Sequence, residues 1–229
     1  MTQEMYEQIE NYMLTCMTDS AHDKEHIYRV LYSALEIAKA EEHVDYDVLI
    51  TACLLHDIGR KEQFEDPSLC HAMVGGEKAY SFLMENGFGV EFSGKVKHCV
   101  QTHRFRKTQQ PQTLEAKILF DADKLDVTGA LGIARTLMYK AEVAEPLYHV
   151  LPNGEISDGT EDTQPSFFRE YKFKLEKLYD KFYTARGAQL GCARREIAVA
   201  FYEKLYQEVN TGYVSGQEML RKRLGEKDA

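Results

Sequence analysis

Residues 54–60 read Leu54-Leu55-His56-Asp57-Ile58-Gly59-Arg60, placing an imidazole beside a carboxylate at the end of the apolar run 48–55. Burying both groups among leucine and isoleucine costs several kcal/mol unless each finds a partner, and a divalent cation satisfies both at once. Metal binding is therefore the chemistry these residues point to. Two basic clusters, Arg60-Lys61 and Arg104-Phe105-Arg106-Lys107, could offset charge on an anionic ligand at such a site.

The elements that must carry these groups read as helices. Ile27, Val30, Leu31, Ala34, Ile37 and Ala38 form the stripe of a first long helix, which Asp23 could cap, with His26 on its flank. A second helix, over about 46–58, is apolar nearly all round, as a central core helix should be, and Gly59 stops it. His56 and Asp57 then fall in its last turn, where the negative end of the helix dipole favours a cation by roughly 0.3–1 kcal/mol. Further helices are expected over 75–86, 94–103 and 113–126, separated by Asn86-Gly87 and Gln110-Pro111. The pattern lapses over 146–165, read as a surface loop, with Pro152-Asn153-Gly154 leaving room for one small hairpin near 147–157. Phe168, Tyr171, Leu175, Leu178, Tyr179 and Phe182, then Ile197, Phe201 and Leu205, keep helical spacing in two C-terminal helices. The aromatic stripe from Phe168 to Phe182 is read as core before dimer face. The fold class expected is all-α, in one domain over 1–229 with its core at about 20–140 and a helical extension at about 166–225.

Composition narrows the function classes. A net charge of -9 repels polyanions, so an extended nucleic-acid surface is not expected, while small anions remain open. No apolar run approaches the roughly 20 residues that span a bilayer, and the start of the chain is acidic. Five cysteines without CxxC spacing suggest reduced thiols rather than a disulfide framework or zinc ribbon, which fits a cytoplasmic protein. No Rossmann or P-loop glycine pattern and no internal repeat is present. A monomer or homodimer is compatible with all of this.

The segments Asp23-Lys24-Glu25-His26-Ile27-Tyr28-Arg29-Val30, Leu54-Leu55-His56-Asp57-Ile58-Gly59-Arg60 and Asp121-Ala122-Asp123-Lys124-Leu125-Asp126 occur in an order that resembles the HD-domain metal-dependent phosphohydrolase superfamily. Among its members they are most similar to the small stand-alone bacterial proteins that include nucleotide pyrophosphohydrolases. The likeness covers about 20–140. It implies an HD-domain helical bundle and one divalent ion held by His26, His56, Asp57 and Asp123. Two imidazoles and two carboxylates suit Mn2+, Mg2+, Fe2+, Co2+ or Ni2+ in six-coordinate geometry, with about two positions left open. Asp121 and Asp126 compete with Asp123, and motif register favours Asp123.

The activity so implied is hydrolysis of a phosphoester or phosphoanhydride in a small nucleotide. The preferred version is (deoxy)nucleoside triphosphate pyrophosphohydrolysis by a metal-activated water. Asp57, His103 and Lys124 are the expected catalytic groups, and Arg60, Lys61, His71, Arg104 and Lys124 the expected substrate contacts. In some relatives histidines in the order of His71 and His103 hold a second metal, with Asp57 bridging. That option keeps a dinuclear-iron HD oxygenase open as an alternative, beside a non-catalytic nucleotide-sensing protein. His22, His43, His98 and His149 read as surface, loop or structural residues.

Overall fold

The computed structural model describes residues 1–17, 24–104 and 109–225. Asp23 as a helix cap, His22, and Phe105-Arg106-Lys107 of the second basic cluster lie outside the described residues. The order is α1 (Gln3–Cys16), α2 (Lys24–Ala38), α3 (Tyr46–Leu55), α4 (Arg60–Glu65), α5 (His71–Glu85), α6 (Val90–Thr102), α7 (Leu114–Leu125), α8 (Gly129–Glu142), α9 (Phe167–Phe173), a 3-10 turn (Leu175–Lys177) and α10 (Ala185–Leu224). Among the described residues there is no strand, so the fold is all-α as expected. The hairpin is reduced to a single antiparallel bridge between Val150 and Ile156, closed over Gly154 at φ 83°. No described helix is long and apolar enough to cross a membrane.

Contacts divide the chain into two compact units, Met1–Asp126 with Phe182–Leu190, and Val127–Lys181 with Gly191–Ala229. The first is built around α3. Asp45 caps that helix by accepting from the Val48 N–H, and beyond its exposed start Val48, Leu49, Ala52, Cys53, Leu54 and Leu55 are all buried, which leaves little solvent face to be polar. α2 lays its expected stripe, Ile27, Val30, Leu31, Ala34, Ile37 and Ala38, into the same core. α7 begins where Thr113 accepts from the Ala116 N–H. Asp121, on α7, accepts from the Tyr183 and Thr184 N–H groups and from the Thr184 hydroxyl, which fixes the chain just ahead of α10.

α3 ends at Leu55, three residues before the expected 58. From there the backbone closes in i to i+3 turns, Ile58 N–H to the Leu55 carbonyl and Arg60 N–H to the Asp57 carbonyl, so His56 and Asp57 sit on a turn between α3 and α4. The reason is close packing at Gly59. A Cβ there would stand 2.3 Å from the His71 carbonyl oxygen and 2.6 Å from the Gly75 nitrogen. α5 accordingly starts at His71 rather than Gly75, because Gly75 is not a breaker but the place where α5 touches the turn. α6 starts at Val90, four residues ahead of the expected Gly94. Gly59→Ala must push backbone against backbone, and is expected to lower the urea unfolding free energy by about 1–3 kcal/mol. An unchanged unfolding curve would mean that the turn does not lie this close to α5.

The second unit has its own core of Ile133, Ile156, Phe167, Phe168, Tyr171, Leu175, Tyr179, Ala198 and Tyr202. The stripe therefore is core at Phe168, Tyr171, Leu175 and Tyr179, with Leu178 partly buried and Phe182 packed against the first unit's core, and it is not one helix. α9 stops at Phe173, and Lys174 leaves helical geometry at φ -126° and ψ -63°. Leu175 then reaches the core from the 3-10 turn, and Tyr179 from the non-helical chain two residues beyond its end. The segment 146–165 corrects the surface-loop reading, since Ile156, Ser157 and Asp162 are buried. Gly159, at φ 96°, lets it press onto the backbone of Phe168. The two C-terminal helices expected from spacing are α9 and the 40-residue α10.

Candidate metal centre

Four histidines and two aspartates of the first unit converge where α2, the turn after α3, the start of α5, the end of α6 and the end of α7 meet. His26, His56 and Asp123 form one group and Asp57, His71 and His103 another; within each, the candidate ligand atoms all lie within 4.8 Å of one another. Asp57 links them. Its Oδ2 stands 3.6 Å from His26 Nε2 and 3.7 Å from His56 Nε2, and its Oδ1 stands 3.3 Å from His71 Nε2 and 3.6 Å from His103 Nε2. Asp123 Oδ1 lies 3.4 Å from His26 Nε2. All four rings and Asp57 are buried, while Asp123 is partly exposed.

The hydrogen bonds behind the rings fix which nitrogen of each carries its proton. His56 Nδ1 faces the Cys53 carbonyl at 2.8 Å and His103 Nδ1 the Val100 carbonyl at 2.6 Å; a carbonyl only accepts, so both Nδ1 atoms are N–H. His26 Nδ1 donates to Asp126 Oδ2 at 2.7 Å, and Asp126 is itself paired with Arg29. His71 Nδ1 meets Gln63 Oε1 at 2.6 Å. Each ring thus turns its Nε2 inward, and the inner atoms come as close as 3.3 Å for His26 with His56 and 3.3 Å for His71 with His103. Two facing lone pairs at that distance repel unless a proton or a cation stands between them.

Charge in the cluster follows from its burial. For His26 burial pushes the pKa down, but hydrogen bonds to Asp123, Asp126 and Asp57 outweigh it and carry the value up to about 11. That proton occupies a place a cation would take. Burial pushes His56 down to about 4, and it holds His71 far below its ordinary value despite Asp57, with Arg60 and Arg104 adding to the effect. These two are neutral donors at pH 7. Burial would raise Asp57, yet Arg60 and the surrounding imidazoles overcome it and hold the carboxyl well below the usual range. Arg60 Nε stands 2.9 Å from Asp57 Oδ1, but its N–H is not aimed at the oxygen, so neither atom completes a hydrogen bond. A buried carboxylate oxygen left in this way, facing two imidazole lone pairs, is the geometry a divalent cation fits. The mixed nitrogen and oxygen donor set suits first-row transition ions better than Ca2+.

The structure therefore brings together His26, His56, Asp57, Asp123, His71 and His103. It places the expected cationic residues differently. Arg60 flanks Asp57, and Arg104, next to His103, reaches Cys70 Sγ at 3.9 Å beside His71. Lys61 is exposed on α4. Lys124 is buried with its ammonium 4.0 Å from the Phe120 ring centre and 5.5 Å from that of Phe182. Asp126, by sequence only a rival ligand, sits behind His26. Gln63 is the residue that sequence reasoning misses, because nothing in its type or spacing marks it. Of the other histidines, His98 accepts from the Gln112 N–H, His43 sits in a loop at φ 62°, and His149 lies beside the bridge near the Pro165 carbonyl.

An all-helical frame that carries a His, a His-Asp pair and a later Asp onto one centre defines a class, and residues 24–128 match the HD domain family. Over that stretch the chain resembles the HD domain family. In particular it is similar to YpgQ of Bacillus subtilis (strain 168), 29% identical over 209 residues that cover 89% of this chain and 93% of YpgQ. The crystal structure of YpgQ in complex with ADP matches with a TM-score of 0.69 at 27% identity, covering 89% of this chain and 97% of that one. An HD-superfamily hydrolase from Bacillus thuringiensis matches with a TM-score of 0.69 at 28% identity, covering 91% and 98%. A predicted HD superfamily hydrolase from an uncultured Thermotogales bacterium matches with a TM-score of 0.58 at 27% identity, covering 90% and 92%.

Proposed function

We propose that this protein is a divalent-cation-dependent hydrolase of small nucleotides, cleaving (deoxy)nucleoside triphosphates to the monophosphate and pyrophosphate. The observation that carries the reading is the pair of His/Asp groups joined through Asp57, with all four Nε2 atoms turned inward. His26, His56, Asp123 and Asp57 Oδ2 would hold one cation, and Asp57 Oδ1, His71 and His103 a second. This reading moves His71 and His103 from substrate contact and acid–base group to cation ligands. When bound, such cations lower the pKa of water and neutralise phosphate charge. Around them Arg60 and Arg104 flank the second group and would orient phosphate oxygens through charge-assisted hydrogen bonds. Lys61, exposed on α4, would meet the outer part of a phosphate chain, and Lys124, with its ammonium 4.0 Å from the Phe120 ring centre, would add positive charge. The YpgQ complex with ADP supports a nucleotide as the class of ligand.

The paired groups also suit two irons and O2-dependent cleavage, so the test is run with and without air. Protein stripped of metal and reloaded with Mn2+ is mixed with nucleoside triphosphates, monophosphates and cyclic nucleotides, and pyrophosphate is resolved from orthophosphate. Monophosphate plus pyrophosphate, formed equally without O2, is the expected result. Stepwise orthophosphate would replace the reading with a phosphatase. Turnover only in air would favour the oxygenase, and stoichiometric binding without turnover a nucleotide sensor.

A further inference from the structure

The two groups are built unequally, and the difference lies behind the rings. In the first, His26 is backed by the carboxylate of Asp126, and the set includes Asp123 as well as Asp57. The second has a single carboxylate, shared with the first and faced at 2.9 Å by the Arg60 guanidinium. His103 is backed by the Val100 carbonyl, part of α6 and unable to turn. His71 alone is backed by a neutral side chain from another element, Gln63 of α4.

The amide of Gln63 has only one orientation. Its Nε2 donates to the Leu69 carbonyl at 3.0 Å, which leaves Oε1, and not the amine, to face His71 Nδ1 at 2.6 Å. The ring must then carry its proton on Nδ1 and present a lone pair at Nε2, 3.3 Å from Asp57 Oδ1. α4 is itself pinned to α5, where Lys78 Nζ donates to the Ile58 carbonyl at 2.8 Å and to Glu62 Oε1 at 2.6 Å. A chain of hydrogen bonds thus runs from the Leu69 backbone through Gln63 to His71, whose inner nitrogen faces Oδ1 of the carboxylate that joins the two groups.

We propose that Gln63 is a positioning residue that holds His71 with its Nε2 toward Asp57, and so sets the affinity of the second cation position independently of the first. The inference rests on the two-cation reading above but not on the substrate. Partners behind a metal-binding histidine typically change affinity about 10–100-fold when removed. The first position, backed by Asp126 and the Cys53 carbonyl, has no part in this chain of bonds.

The test is a calorimetric titration of metal-free protein with Mn2+ alone, on wild type, Gln63→Leu and Gln63→Glu, with thermal melts to show that each is folded. Wild type is expected to bind two equivalents, one tighter. Gln63→Leu should weaken the second about 10–100-fold and leave the first unchanged. Gln63→Glu, which keeps an acceptor and adds charge, should restore the second equivalent or tighten it. Equal weakening of both equivalents, no change in either, or a Glu variant that behaves like Leu would overturn the role of Gln63. Because no nucleotide is present, failure to hydrolyse triphosphates leaves this outcome standing, and a wild type that binds one equivalent overturns the inference whatever it hydrolyses.

Discussion

Asp57→Ala is expected to abolish cation binding at the second position, weaken it at the first, and reduce turnover by at least about 10³-fold. The residue is buried, and its two oxygens face different pairs of histidines, Oδ2 toward His26 and His56 and Oδ1 toward His71 and His103. Its loss takes a carboxylate from each group at once. What remains in the second group is two imidazoles beside Arg60, which has no net attraction for a divalent ion. A cation contributes several kcal/mol of charge stabilisation to phosphoryl transfer. At about 1.4 kcal/mol per tenfold, three such factors are the lower bound. Metal content after desalting, measured beside pyrophosphate release, checks the prediction. Retention of two equivalents with full activity would show that Asp57 does not join the groups.

Phe168→Ala is expected to give the largest loss of stability, and to spare the metal centre. Phe168 is fully buried, with ring centres of Tyr148, Tyr202, Tyr206 and Phe167 at 5.8, 5.4, 5.9 and 6.2 Å. Removing such a ring costs about 3–5 kcal/mol, against roughly 5–15 kcal/mol for a whole domain. At about 4 °C or more per kcal/mol for a unit of this size, the transition that reports the second unit should fall by at least about 12 °C. All six residues of the centre belong to the first unit, so Mn2+ stoichiometry below that transition should match wild type. Scanning calorimetry with metal analysis reads both quantities. A shift of a degree or two would mean that the aromatic cluster is not the core of its unit.

Different physical signals explain what the sequence made readable and what it did not. The stripe of α2 and the span of α7 follow from apolar periodicity and a Thr cap, and both appear where expected. The start of α5 was hidden because Cys70 offers no side-chain cap, and because Gly75 and Gly76 resemble a break. They are small for the sake of close packing, on Gly59 and on the Gln101 side chain. That depends on a partner distant in sequence. The aromatic spacing after Phe168 identified core residues correctly but not their helix, since a 3-10 turn presents nearly the same side as an α-turn. At the centre, residue type and order brought forward the histidines and aspartates. They could not tell which side of an imidazole a carboxylate would stand on, and that decides between Asp123 facing His26 Nε2 and Asp126 behind Nδ1. Gln63 illustrates the limit. Its contribution is the direction of one amide, fixed by the Leu69 carbonyl, and no pattern of residue types encodes it.

Anomalous scattering from a crystal of the Mn2+-loaded wild-type protein, collected at the manganese edge, bears most directly on the two-cation centre. Two peaks are expected, one among His26, His56 and Asp123 and the other between His71 and His103, with the Asp57 carboxylate reaching both. A single peak, or none in this cluster at saturating Mn2+, would contradict it.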